Sequence, residues 1–252
     1  AACEAAPEIL TLNPSAIELI PQVLIRLARS VPAYAAQLAF IEDLPGGSDP
    51  AAILAVEFSG DDLSRLRQQA RMLEKLGPVL LAETPAAQSQ IWGVRKVGLG
   101  LLQSRAGDFK STAFIEDLAV PVAHLGVFVR ELERIFSEHQ TSADIYAHAS
   151  AGCLHIRPIL NLKTGQGVRD LRSIAEQATT LAARIGGVPS GEHGDGLARS
   201  EWLPQGFGDT LMAAFRDLKA AADPLGLLNQ GKIVSSPGEA PPRMDVQLRF
   251  GT

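Results

Sequence analysis

A chain of 252 residues is long enough for one large domain or two small ones. With 46% hydrophobic and 20% charged residues it can bury a full core, and a net charge of −5 argues against the basic stripe that a nucleic-acid surface needs. No apolar run approaches the roughly 20 residues that span a bilayer, and two cysteines, Cys3 and Cys153, make no disulfide framework. The first expectation is therefore a globular chain from a reducing cytoplasm.

The predicted elements follow in chain order. Residues 1–14 read as a lead-in, followed by a helical pattern through Ile17, Ile20, Leu24 and Leu27, with Pro21 and Pro32 bending or ending it. The run Pro45-Gly46-Gly47-Ser48 marks a loop. AAILAVEF (51–58) reads as a buried strand, and Asp61 opens a helix with Leu63, Leu66, Ala70, Leu73 and Leu76 on one face. PVLLAE (78–83) and TAFIEDLAV (112–120) read as strands, the second followed by a helix from Val122 to Phe136. IYAHA (145–149) and CLHIRPIL (153–160) are further strands. A long helix from Val168 to Ile185 ends at Gly186-Gly187, and a last helix runs through Phe207, Leu211, Phe215 and Leu218. Two split strand-helix-strand units predict an α+β ferredoxin-like antiparallel sheet with helices on one face, plus helical extensions at both ends. The expected division is a helical lead-in over 1–50, the ferredoxin-like unit over 51–222, and a tail over 223–252 leading onward.

Three stretches carry chemistry. In HASAGCLH, a hairpin with a two-residue turn at Ala151-Gly152 would set His148 directly opposite His155. Two imidazoles so placed can chelate a divalent metal, but the same pair can equally be half-exposed histidines without a ligand. In SGEHGDGLARS, Glu192 could complete a His-His-Glu set with an open position, as catalytic metals have. His193 beside it could act as general base, since imidazole titrates near neutrality. The plain alternative is a surface loop whose Asp195 caps the next turn. In WGVRKVGLGLL and beyond, Arg95 and Lys110 could pair with substrate carboxylates or be solvated cations.

Together, DPAAILAVEFSG, IWGVRKVGLGLL, FIEDLAVP, YAHASAGCLHIRP, GGVPSGEHGDGLARS and DPLGLLNQGKIV resemble, in that order, the C-terminal cap domain of FAD-linked oxidases. The type is that of D-lactate, glycolate and D-2-hydroxyglutarate dehydrogenases. The resemblance covers nearly the whole chain and is greatest to long members that carry a flavin domain before the cap and an iron–sulfur domain after it.

The resemblance implies oxidation of a D-2-hydroxy acid to the 2-oxo acid. It implies His148, His155 and Glu192 as ligands of a metal, usually zinc, and His193 as the base that takes the hydroxyl proton. It implies Arg95 and Lys110 on the substrate carboxylate. It also implies Asn229, in LNQGK, where the tail meets the FAD domain. Where some members carry Asn, this chain has Arg157, which strand alternation puts on His155's face and within reach of an anionic substrate. The family often has Gly-Asp-Gly-Asn between the histidines where this chain reads SAGC, some members have a hydroxyl residue where it has Leu99, and LNQGK replaces the usual Asn-Pro. These departures leave the metal set intact and put the substrate in question.

Nothing here resembles a FAD-binding domain, and no Cys-rich block could hold an iron–sulfur cluster. The chain is expected to be part of a larger oxidoreductase, inactive alone, cytoplasmic, and peripheral to the membrane through its electron acceptor. The competing readings are a metal hydrolase using the same three ligands and a non-catalytic ferredoxin-like module that binds a ligand or a second copy.

Overall fold

The computed structural model describes residues 2–44, 49–103, 105–235, 243–246 and 248, so the loop expected at 45–48 lies outside the described residues. In chain order the elements are α1 (Ala2–Leu10), β1 (Ala16–Pro21), α2 (Gln22–Ser30), α3 (Pro32–Ala35), β2 (Ala52–Glu57), α4 (Leu63–Met72) and α5 (Pro85–Gln103). Then come β3 (Lys110–Ser111), β4 (Leu118–Ala119), α6 (Leu125–Glu138), β5 (Ala143–His148), β6 (Cys153–Leu160), α7 (Gly165–Arg184), α8 (Gly196–Arg199) and α9 (Leu203–Ala222). The strands form one antiparallel sheet in the order β2-β1-β5-β6-β3, with β4 also paired to β6. This is the expected α+β architecture.

Strand alternation divides the sheet into two faces. Ile17 and Leu19 of β1, Ala147 of β5 and Leu154 and Ile156 of β6 join one apolar cluster with α1, α6 and α7. Phe128, Leu132 and Ile174 are fully enclosed there, each side chain contributing about 1.5–3 kcal/mol by burial. The opposite face is mixed. Ile20, Ile53 and Tyr146 meet a second apolar cluster made by α2, a 3-10 turn at Ala36–Ile41 and α5. The rest of that face carries Glu18, His148, His155 and Arg157. Helices α6 and α7 thus take the one face expected, and α2 and α5 add an apolar layer on the other.

Three expectations are corrected. The single helix through Ile17 and Leu27 is instead a strand followed by a helix. Residues 16–21 all pair with β2, and Glu18 and Leu19 pair with β5 as well, and these ladders outweigh the helical spacing. Pro21, extended at φ −78°, closes the strand and precedes the first turn of α2. Residues 78–83 form no strand: Pro78 lacks the donor that a ladder needs, and Leu81 is exposed. Of the strand expected at 112–120 only β4 pairs as a ladder strand, because Asp117 has φ +76° and turns the chain just before it.

Candidate functional site

The paired histidines sit on β5 and β6, but not directly opposite. His148 faces Cys153 in the ladder, and His155 faces Tyr146. The turn spans residues 149–152 instead of two residues. Gly152 has φ +68°, and a Cβ there would lie 1.9 Å from the Val120 carbonyl, so glycine is required. A register shift of two keeps every side chain on its face. The histidines therefore become diagonal neighbours, with ring centroids 5.1 Å apart and edge to face.

The segment after α7 brings the third group. Glu192 Oε1 lies 3.1 Å from His155 Nε2 and 3.3 Å from His148 Nε2. Ligands about 2.0–2.1 Å from a tetrahedral zinc are separated by about 3.3 Å, so this donor set suits such an ion. His193 Nε2 lies 3.4 Å from the same carboxylate oxygen, and its ring stacks on His155 at 5.1 Å. His155 is buried, whereas the Glu192 and His193 side chains are 44% and 47% exposed, so the cluster opens on one side. The arrangement offers three donors, an adjacent imidazole and access from solvent.

Carboxylates stand behind the histidines. Glu18 of β1, paired with His148 in the ladder, accepts a hydrogen bond from His148 Nδ1 at 2.5 Å. That contact turns Nε2 toward Glu192 as a lone-pair donor, a common arrangement behind metal-binding histidines. Behind His155, Glu116 Oε1 lies 3.6 Å from Nδ1, a buried nitrogen with no closer partner. Burial pushes the Glu116 carboxyl up, but its contacts with His155 and Arg157 outweigh this and hold it below the usual range. Tyr146 fills the space between, stacked on His155 at 4.7 Å with the Arg95 guanidinium 4.7 Å above its ring.

The family model for FAD linked oxidases, C-terminal domain, matches residues 1–233. The chain belongs to this family. A D-2-hydroxyglutarate dehydrogenase of Escherichia coli (strain K12) is 31% identical over 98% of this chain and 25% of its own length. A D-lactate dehydrogenase of Anaerostipes hadrus is 28% identical over 74% of this chain and 40% of its own length. The Glycolate oxidase subunit GlcD of Bacillus subtilis (strain 168) is 24% identical over 72% of this chain and 39% of its own length. The chain spans about a quarter of the first of these relatives.

Within this FAD-linked oxidase domain the remaining candidates are distributed unevenly. Arg95, on α5, reaches the cluster, where its Nε donates to Glu18 Oε2 at 2.8 Å. Arg157 shares His155's face as expected, but it is buried with its guanidinium committed to Glu116. Lys110 is not brought in. It pairs with Leu160, about 16 Å along β6 from His155, and its Nζ donates to the Arg105 carbonyl at 2.5 Å. Asn229 lies on an exposed turn after α9, its side-chain oxygen accepting from Lys232 at 3.3 Å. The Leu99 side chain lies outside the described residues. Asp195 stands at the N-cap of α8 but makes no capping bond. Its Oδ1 is buried without a partner, and burial pushes its carboxyl up.

Sequence reasoning missed Glu18, Tyr146, Glu116, Asp117 and Arg199. Tyr146 was within reach, two residues before His148 on the same face. Glu18 was hidden by the helical reading of its strand. No helix among the described residues is long and apolar enough to cross a membrane.

Proposed function

We propose that this chain is the substrate-binding domain of a FAD-dependent dehydrogenase that oxidises a D-2-hydroxy acid to the 2-oxo acid. The observation that carries the reading is the meeting of His148, His155 and His193 Nε2 around one oxygen of Glu192. The names of the relatives, two dehydrogenases and an oxidase of 2-hydroxy acids, agree with it. His148, His155 and Glu192 would hold a divalent metal, zinc by their donor set, which when bound would supply Lewis acidity at the substrate hydroxyl. FAD, when bound by the rest of the protein, supplies the acceptor for the hydride that leaves C2.

The chain's own residues do the remaining work. His193 Nε2 takes the hydroxyl proton as hydride leaves, so the alcohol loses one proton and one hydride and becomes a carbonyl. Its ring is held for this by stacking on His155. Arg95 reaches the cluster through Glu18 and is still partly open, at 18% side-chain exposure, and it takes the substrate carboxylate by a guanidinium fork. Arg157 is a secondary candidate for the same anion, already paired with Glu116, whereas Lys110, at the far end of β6, is left out of this reading. Asn229 lies beside Leu225, Leu227 and Leu228, all more than 60% exposed, an apolar surface suited to cover by the flavin domain. An iron–sulfur domain downstream completes the reading for a parent as long as the D-2-hydroxyglutarate dehydrogenases.

The test uses the whole parent protein with a dye acceptor. His193→Ala at unchanged metal content should lower kcat by at least about 100-fold. A loss under about tenfold overturns the base assignment. Chelator-sensitive ester or amide hydrolysis by the chain alone would favour a hydrolase instead.

A further inference from the structure

Asp117 is completely buried, yet among the described residues no cation is paired with its carboxylate. It is surrounded by donors from the glycine-rich segment. Oδ1 accepts from Glu192 N at 2.9 Å and from the Cys153 thiol at 3.2 Å. Oδ2 accepts from His193 N at 2.8 Å and from the Ser190 hydroxyl at 2.5 Å. The main chain adds to this: Gly191 N donates to the Asp117 carbonyl at 2.8 Å, while Asp117 N donates to Leu154 O of β6 at 2.8 Å. Successive N–H groups curled round one anion form a nest. Here the anion is the protein's own.

The other end of the segment is held by the preceding residue. Arg199 is buried; its Nε donates to the Glu116 carbonyl at 3.1 Å and its Nη1 to the Gly194 carbonyl at 2.8 Å. Gly191 lets the segment come this close, because a Cβ there would lie 3.0 Å from the Ala119 Cβ and 3.2 Å from the Cys153 sulfur. The dipeptide Glu116-Asp117 thus sits between β6 and the segment that carries Glu192 and His193.

We infer that Asp117 is the positioning residue of the site: it fixes the backbone of Glu192 and His193 so that their side chains face His148 and His155. It touches no reacting atom and acts through the segment it holds. Without it, residues 190–194 lose the partner of a hydroxyl and two amides, and nothing else described in the sheet replaces it. The inference deepens the reading of Glu192 and His193 as functional groups and rests on it.

The experiment uses this chain with Asp117→Asn, Ser190→Ala and His148→Ala. The asparagine keeps the shape and the left-handed backbone but offers one accepting oxygen in place of two. Amide exchange of residues 191–193 should quicken by about tenfold or more in Asp117→Asn, with β5 and β6 as protected as in the wild type. Zinc affinity should fall by about 10–100-fold. Exchange unchanged from the wild type overturns the inference, and so does quickened exchange with unchanged zinc affinity. If Asp117→Asn does not fold, Ser190→Ala decides: it removes one donor, and locally quickened exchange supports the inference while unchanged exchange overturns it. If the wild type takes up no zinc, or His148→Ala takes it up equally well, the metal reading fails on its own. The exchange measurement then decides Asp117 alone.

Discussion

The two faces of this sheet are made by the same strands and obey opposite rules. On β6, Leu154 and Ile156 point into a fully closed apolar layer, while His155 and Arg157, which alternate with them, point at carboxylates. The apolar face is held by burial and tolerates no gap. The polar part of the opposite face is held by pairing, and each charged group there needs a specific partner. A strand that serves both faces can carry fold and site in adjacent residues, with little exchange between them.

Substitutions on the two faces should separate these roles. The largest effect on folding should come from Phe128→Ala on the closed face. We expect a loss of about 3–5 kcal/mol in denaturant unfolding, with zinc affinity unchanged in the fraction that remains folded. On the other face, Glu116→Ala leaves Arg157 buried without its partner. A cost of about 3 kcal/mol is expected in the same measurement, and replacing Arg157 by Met at the same time should recover part of it.

Acid should sharpen the contrast further. Burial pushes the Asp117 carboxyl up, but the hydrogen bonds from Ser190, His193 and Glu192 outweigh it and hold the value at about 2, below its ordinary 3.8. The folded form thus prefers the carboxylate. Its contribution is complete above about pH 4 and is lost as pH falls through 2, amounting to about 2 kcal/mol. The stability gap between the wild type and Asp117→Asn should therefore close between pH 4 and pH 2. A gap that stays constant would show that the charge is not what the segment needs. The smallest effect belongs to Cys153, whose thiol is pushed up to about 12 by burial first and by Asp117 next. It should resist alkylation in the native state at pH 8, and Cys153→Ser should shift stability by no more than about 1 kcal/mol.

Much of the closed face was legible from sequence. The apolar spacing located α6, α7 and β6, because periodicities of 3.6 and 2 report directly which side is buried. The histidines, Glu192 and His193 were also legible, through a hairpin pattern and a family resemblance. The direct opposition of the histidines was not, because the turn closes in four residues and moves the register by two. The carboxylates behind them were not legible either. Glu18 lies 130 positions from His148, and Asp117 lies 75 from Glu192. Nothing local marks such partners: Glu18 sits in a stretch whose spacing also suits a helix, and Asp117 in a run that reads as a strand until its backbone turns left-handed. Lys110 shows the converse, a cation whose type and order fit a role that its place on the far end of β6 does not bring to the cluster.

Glu18 has one more consequence. One of its oxygens holds Arg95 and the other holds His148. Any anion that draws Arg95 away leaves Glu18 to the histidine alone, and any change at the histidine is felt by the arginine. Two binding events that share one carboxylate are linked thermodynamically, and the linkage is reciprocal: each alters the affinity of the other by the same factor. A buried glutamate from the first strand would thus couple the occupancy of the two ends of the site without any movement of the backbone.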